Sequence, residues 1–342
     1  MSFGVEMDSE QLKAVANIKA RVSLMLKERQ GLNEVDSGST VPSEVWTGAC
    51  SMFDYLLTMA DESFSKIRLH THFLTSDLYL PYAVGTGKEI QRARWEKATA
   101  SLPDKYKIYE APGGFGFDFD GAGLVSRDVI RYQITIAALY HQNALKLIES
   151  DSHKYILEIG SGYGGLAHHL MNLAGPATYV MVDLPETFLF SAPYVALQNP
   201  GKSIYVYNES DFDEVLASGL SKFDFVFIPN YRLHDLEQLK FELVLNLNSM
   251  QEMTTAQVEE YLNFVSKTCT GKFYSCNLDR LEQNEELSSL SELLSKKFKL
   301  TEIFSEDKLK NSIKSVLNVA KKTMGSPGRY YYYREFLCEP RQ

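Results

Sequence analysis

Cysteine is scarce in this sequence, and the four that occur, Cys50, Cys269, Cys276 and Cys338, form neither a CxxC pair nor a spacing that histidines would complete. That pattern offers no disulfide framework and no zinc site, so the thiols are expected to be reduced and structural. Basic clusters are missing too. The formal net charge is -9, and without a run of Lys and Arg to track phosphates, a nucleic-acid partner held electrostatically is disfavoured; a small-molecule acceptor is the better default. No stretch of about 18 apolar residues is present to cross a membrane. The opening MSFGVEMDSEQLKAVANIKARV also lacks the basic, apolar and small-residue order of a secretory leader, which makes the expectation a cytoplasmic protein with no membrane partner. Prolines number only 11, against 44% hydrophobic and 23% charged residues. This is the composition of an ordinary globular chain long enough to bury a full core. Tyrosine and phenylalanine are plentiful, at 20 and 19; the default place for them is the core, and a substrate cavity is the alternative.

Apolar residues recur at helical spacing in Leu12, Val15, Ile18, Val22 and Leu26, and again in Val45, Cys50, Phe53, Leu56 and Leu57. A polar loop separates the two runs, with Ser43 or Thr40 as candidate cap and Pro42 near the first turn of the second helix. From Tyr106 to Gly123 the glycine- and aromatic-rich run suggests a short hairpin or ordered loops. Helix returns after Ser126, a second candidate cap. Beyond it strand and helix patterns alternate, as in a parallel sheet covered by helices. The expected strands are Lys154 to Ile159, Thr178 to Val182, Ser203 to Tyr207, Phe223 to Ile228, Glu242 to Leu247, Lys272 to Cys276, Thr301 to Ser305 and Arg329 to Phe336. One is surplus to a seven-stranded sheet, and three runs between Ser203 and Leu247 compete for two places. The last two strands suit an antiparallel hairpin, with a helix in the connection KLKNSIKSVLNVAKKTMGSPG.

The strand YILEI runs directly into GSGYGG and then into the helical LAHHLMNLAG. This places a glycine turn at the carboxyl end of the first strand, where open α/β sheets bind nucleotides. Gly160 and Gly162 permit a tight turn close to a ligand, and Gly164 and Gly165 open the following helix. Asp183 ends the next strand, 23 residues after Gly160, where a carboxylate can accept hydrogen bonds from ribose hydroxyls. Gly160, Gly162 and Gly165 also satisfy GxGxxG, so an NAD-dependent oxidoreductase is the rival reading. Glu158, two residues before the first glycine, favours S-adenosylmethionine, because dinucleotide sites usually keep an apolar residue there.

With LEIGSGYGGLAHHL, YVMVDLPET and LNLNSMQEM in view, the chain resembles the class I methyltransferase superfamily over about 127–336. Within it the chain is similar to the sugar O-methyltransferase family, although Ser161 stands where that family often has a second glycine. The resemblance implies a Rossmann-like sheet, mostly parallel with an antiparallel last strand, in an S-adenosylmethionine-binding catalytic domain over 126–342. A mainly helical region over 1–125 would precede it as a lid, a substrate-binding part or a dimerisation surface, so a homodimer is open to the chain. The resemblance further implies methyl transfer to a hydroxyl of a sugar or glycosylated metabolite; a polyketide or aromatic acceptor is the alternative. On this reading Glu158, Gly160, Gly162 and Tyr163 contact the methionine part, Asp183 the ribose and Leu184 the adenine, with Arg131 and Tyr132 reaching the cofactor carboxylate.

In-line transfer to a weakly acidic alcohol needs alignment and a base. Glu252 in NSMQEM and His234 in PNYRLHD both follow apolar strands and are the candidate bases, with Asn248 and Gln251 as hydrogen-bonding neighbours of the acceptor. The competing reading makes Glu252 a cap for the next helix and His234 loop surface. His168 and His169 fall within the helix after the glycines, where packing is expected. No Asp, Glu and His cluster at ligand spacing calls for a metal.

Overall fold

The computed structural model describes residues 6–33, 41–279, 284–303 and 333–341. Eight strands make one sheet: β1 (Lys154–Ile159), β2 (Ala177–Asp183), β3 (Ile204–Val206), β4 (Phe225–Pro229), β5 (Phe241–Leu247), β6 (Cys269–Leu278), β7 (Phe298–Glu302) and β8 (Tyr333–Pro340), in the order β3-β4-β2-β1-β5-β6-β8-β7. All neighbours are parallel except that β8 runs antiparallel to both β6 and β7. The architecture is the expected mixed α/β, Rossmann-like sheet with one antiparallel strand.

The strand count corrects one expectation. No run between Ser203 and Leu247 is surplus: all three are strands, because β4 inserts between β2 and β3 and pushes the short β3 to the edge. Every residue of β4, and all of β2 up to Asp183, is buried, so both faces of the sheet centre are covered, as near-continuous apolar strands require. The last pair is antiparallel as expected, but β8 lies inside β7 in the sheet. Residues 304–332, including the expected helix in their connection, lie outside the described residues, as does Thr40.

The main helices are α1 (Ser9–Asn33), α2 (Glu44–Met52), α3 (Lys88–Thr99), α4 (Arg127–His141), α5 (Gly165–Leu173), α6 (Phe188–Gln198), α7 (Phe212–Ala217), α8 (Thr255–Thr268) and α9 (Leu290–Lys297). Ser126 caps α4, accepting from Val129 N at 3.1 Å. Ser43 occupies the cap position of α2, but its hydroxyl makes no capping bond, and Pro42 lies just before the helix. The helix start at α8 is secured by Thr254 and Gln257 in a reciprocal capping box. Glu252 is thereby released from the capping role. In the glycine- and aromatic-rich stretch, Phe117–Asp118 pairs with Leu124–Val125 in a two-residue antiparallel ladder.

The helical N-terminal region shares one hydrophobic core with the sheet. Every residue of α6 from Phe188 to Val195 is buried, which a helix lying only on a sheet would not need. The reason is α1, whose Val15, Ile18, Val22 and Met25 pack over it. At the end of this contact Arg29 forms a two-pronged ion pair with Glu186 of the DLPET run, Nη1 lying 2.9 Å from Oε2. Both side chains are buried. Arg29→Ala would strand a buried carboxylate and should cost about 3–5 kcal/mol in urea unfolding, whereas replacing both partners by Leu should recover most of the loss; a single mutant as stable as the wild type would show that the pair is solvated.

Candidate functional site

A cavity opens at the carboxyl end of β1, between the ends of β2 and β5. These strands flank β1 on either side, so the chain leaves the central strand toward different sides and a crevice remains there. The empty space, including its mouth, is about 1150 Å³. Glu158, Gly160, Gly162, Asp183, Leu184, Arg131, Tyr132, Asn248 and Glu252 all line it, so most of the residues singled out from sequence meet in one place.

The turn after β1 depends on Gly160. Its φ is +74°, and a Cβ there would lie 2.1 Å from Ser249 Oγ. The β5 loop therefore reaches the turn only because position 160 has no side chain. At Gly162, also left-handed at φ +56°, a Cβ would meet nothing within 4 Å, leaving room for a ligand beside the backbone.

Three carboxyl groups face this space. Asp183 Oδ1 accepts from Leu184 N at 2.8 Å, and its Oδ2 receives longer bonds from Gly162 N at 3.3 Å and Ser161 Oγ at 3.4 Å. Burial pushes Asp183 up to about 6, with the backbone donors opposing the rise. Glu158 accepts from the Tyr179 hydroxyl at 2.8 Å; burial pushes it up to about 8, and the charge of Asp183 adds to the rise. Glu252 accepts from Trp46 Nε1 at 2.8 Å. Burial pushes it up to about 7 against hydrogen bonds from Trp46 and Gln251. The cationic side chain of the wall is Arg131, which donates to Thr75 O at 2.8 Å and pairs with Asp128 at 3.2 Å.

Three sequence candidates stand elsewhere. Tyr163 is 1% exposed and turns away from the cavity, with Arg68 at 4.8 Å over its ring and Tyr194 edge-on at 4.9 Å. Arg68 itself is buried among Glu110, Asp128 and Asp77, at 2.8, 3.0 and 3.6 Å, so Tyr163 ties the glycine turn to the N-terminal region instead of touching a ligand. Gln251 is buried behind the wall, its Oε1 accepting from Leu278 N at 2.8 Å. His234 lies on the surface between Glu237 and Glu260, at 2.9 and 2.8 Å. The turn Asn230–Leu236 explains it: Asn230, directly after β4, enters the cavity, and His234, four residues on, emerges outside. His169 packs beside Tyr132, and His168 bonds Asn199 at 3.0 Å.

Sequence reasoning missed Trp46, Ser43, Asn230, Ser249 and Tyr261, all of them lining residues. Asn230 had a signal, as the first polar residue after an apolar strand. Trp46 had none, being 206 positions from its partner Glu252. Ser43 Oγ is buried without a hydrogen-bond partner among the described residues, a polar atom left available in the wall. Among the described residues no group of three or more His, Cys, Asp or Glu side chains is arranged to hold a metal, and no helix is long and apolar enough to cross a membrane.

No family model and no curated protein matches the chain. Among solved structures it is similar to a precorrin-6y C5,15-methyltransferase from Geobacter metallireducens, at 10% identity and a TM-score of 0.33, over 58% of this chain and 87% of that one. It is also similar to phosphoethanolamine N-methyltransferase 2 of Haemonchus contortus, solved with S-adenosylhomocysteine, at 14% identity and a TM-score of 0.34 over 59% of this chain; the match spans 52% of that longer protein. The N-methyltransferase NodS from Bradyrhizobium japonicum, solved with the same molecule, overlaps at 10% identity and a TM-score of 0.35, over 60% and 88% of the two chains. Overlaps this loose leave the chemistry of the cavity to its own residues.

Gly160→Ala should destabilise the fold by about 1–3 kcal/mol through the left-handed φ and the clash with Ser249, and an unchanged denaturation midpoint would rule that contact out. A second outcome concerns pH. The three raised carboxyl groups bind protons more readily in the folded chain than in the unfolded one, so the stability they contribute is full at low pH and is lost as pH rises through about 6, 7 and 8. The thermal midpoint of the free protein should therefore fall between about pH 5 and 8, less steeply in Glu158→Gln; equal slopes would exclude Glu158 as a source.

Proposed function

We propose that this cavity binds S-adenosylmethionine and that the chain transfers its methyl group to a hydroxyl of a small molecule. The observation that carries the reading is the convergence of Glu158, Asp183 and Glu252 on one cavity beside a glycine turn. When ionised, such a wall attracts a cation. At an effective dielectric constant of about 20, a unit positive charge about 4 Å from one carboxylate gains roughly 4 kcal/mol. The same wall repels a pyrophosphate, which argues against the dinucleotide that the GxGxxG spacing would also allow.

The residues fit the cofactor's parts. Asp183, at the end of β2, is the acceptor for the ribose hydroxyls; Gly160 and Gly162 bring backbone close to the methionine portion; Glu158 suits its ammonium group, Leu184 the adenine face and Arg131 its carboxylate. S-adenosylmethionine, when bound, supplies a methyl group already activated on a sulfonium sulfur. What the protein must then do is align the acceptor and take its proton. Glu252 would take that proton from the acceptor hydroxyl. A carboxylate with its pKa near 7 is well matched to this task at neutral pH. Asn248 lines the same wall and is the hydrogen-bonding neighbour proposed for the acceptor. The EIGxGYGGLA, DLPET and NSMQEM motifs support a sugar or glycosylated metabolite as that acceptor.

Calorimetry should show S-adenosylhomocysteine binding to the wild type, a loss of tenfold or more in Asp183→Ala, and no binding of NADH; NADH binding in place of S-adenosylhomocysteine would sink the proposal. Against a panel of free and glycosylated sugars, Glu252→Gln should lower methyl transfer by about 10² to 10⁴ while keeping cofactor affinity. Turnover of the wild type should rise with pH through about 7 as Glu252 ionises, and a rate that falls over that range would remove Glu252 as the base.

A further inference from the structure

Glu252 is not held in the cavity by the sheet domain alone. Its Oε2 accepts a 2.8 Å hydrogen bond from Trp46 Nε1 on α2, and both side chains line the cavity. The indole packs 6.4 Å from the Phe53 ring, which meets Phe190 of α6 edge-on at 4.9 Å, so the donor stands on a buried aromatic stack. A second tether fixes the chain entering α2: Gln257 of α8 donates from Nε2 to Val41 O at 2.9 Å. Gln257 is also the third-position partner of Thr254 in the capping box of α8.

We infer that Trp46 is a positioning residue, and that the N-terminal region completes the active site by holding the Glu252 carboxylate at the cavity wall. The inference rests on the reading of Glu252 as proton acceptor. An indole can only donate, so its N–H favours the ionised carboxylate and fixes which oxygen is occupied. The other titratable groups sharing the wall are Glu158, Asp183, Arg131, Tyr132 and Tyr261, and none of them belongs to α2.

The test uses the full chain labelled with carboxyl-13C glutamate, the Glu252 resonance being identified by its loss in Glu252→Gln. In Trp46→Phe, which keeps the ring and removes the N–H, the Glu252 titration midpoint should rise by about one pH unit. A packing role alone would leave the midpoint where it was, and that result overturns the inference. Should Trp46→Phe fail to fold, Trp95→Phe leaves Trp46 as the sole tryptophan. Its emission should then change with pH at the Glu252 midpoint, and adding Glu252→Gln should abolish the change; emission indifferent to Glu252 overturns the inference as well. If the wild type binds no S-adenosylhomocysteine, the functional reading falls and this inference with it, whereas binding with an unmoved midpoint removes this inference alone.

Discussion

Carboxyl groups held out of water at the ends of adjacent parallel strands are costly to ionise unless something positive lies nearby. Glu158, Asp183 and Glu252 are in that condition around the end of β1. Their placement follows from the sheet: β2 and β5 flank β1 in parallel, so the three strands deliver their carboxyl ends to one crevice. Backbone amides at Gly162 and Leu184 and the hydroxyl of Tyr179 relieve part of the cost. What they leave unrelieved is an affinity for positive charge, and that remainder gives the cavity its chemical character.

The helical N-terminal region is bound into the same economy of burial. α6 is apolar on all sides because α1 covers the face that the sheet does not, and the buried Arg29–Glu186 pair closes that contact beside Asp183 in sequence. Arg68, surrounded by Glu110, Asp128 and Asp77, lies over Tyr163, the residue after Gly162. The glycine turn is thus braced from behind by one part of the N-terminal region while Trp46, from another part, reaches its open side. The N-terminal region is continuous with the core and contributes to the cavity wall.

Much of this was legible beforehand where local pattern and local physics agree. The strands β1 and β2, the glycine turn between β1 and α5, and the carboxylate at the end of β2 all announce themselves within about 30 residues, because a parallel strand buried on both faces needs an unbroken apolar run and a tight turn needs glycine. The order of β3 and β4 was not legible: two apolar strands of similar composition carry no mark of which lies at the edge. His234 misled, and Asn230 was passed over, for a related reason. Both follow the same strand, and only the pitch of the intervening turn sends one into the cavity and the other to the surface.

By itself the sequence determined the kinds of element present and the position of the glycine turn, since these depend on residues close together in the chain, and it named all three carboxylates beside that turn, with Glu252 left between base and helix cap. The tertiary structure decided which distant residues join them. Trp46 meets Glu252, Arg29 meets Glu186 and Ser249 closes on Gly160 only because helices and strands far apart in sequence pack at fixed distances. Such meetings are set by the shape of the whole core, and no short window of sequence contains that shape.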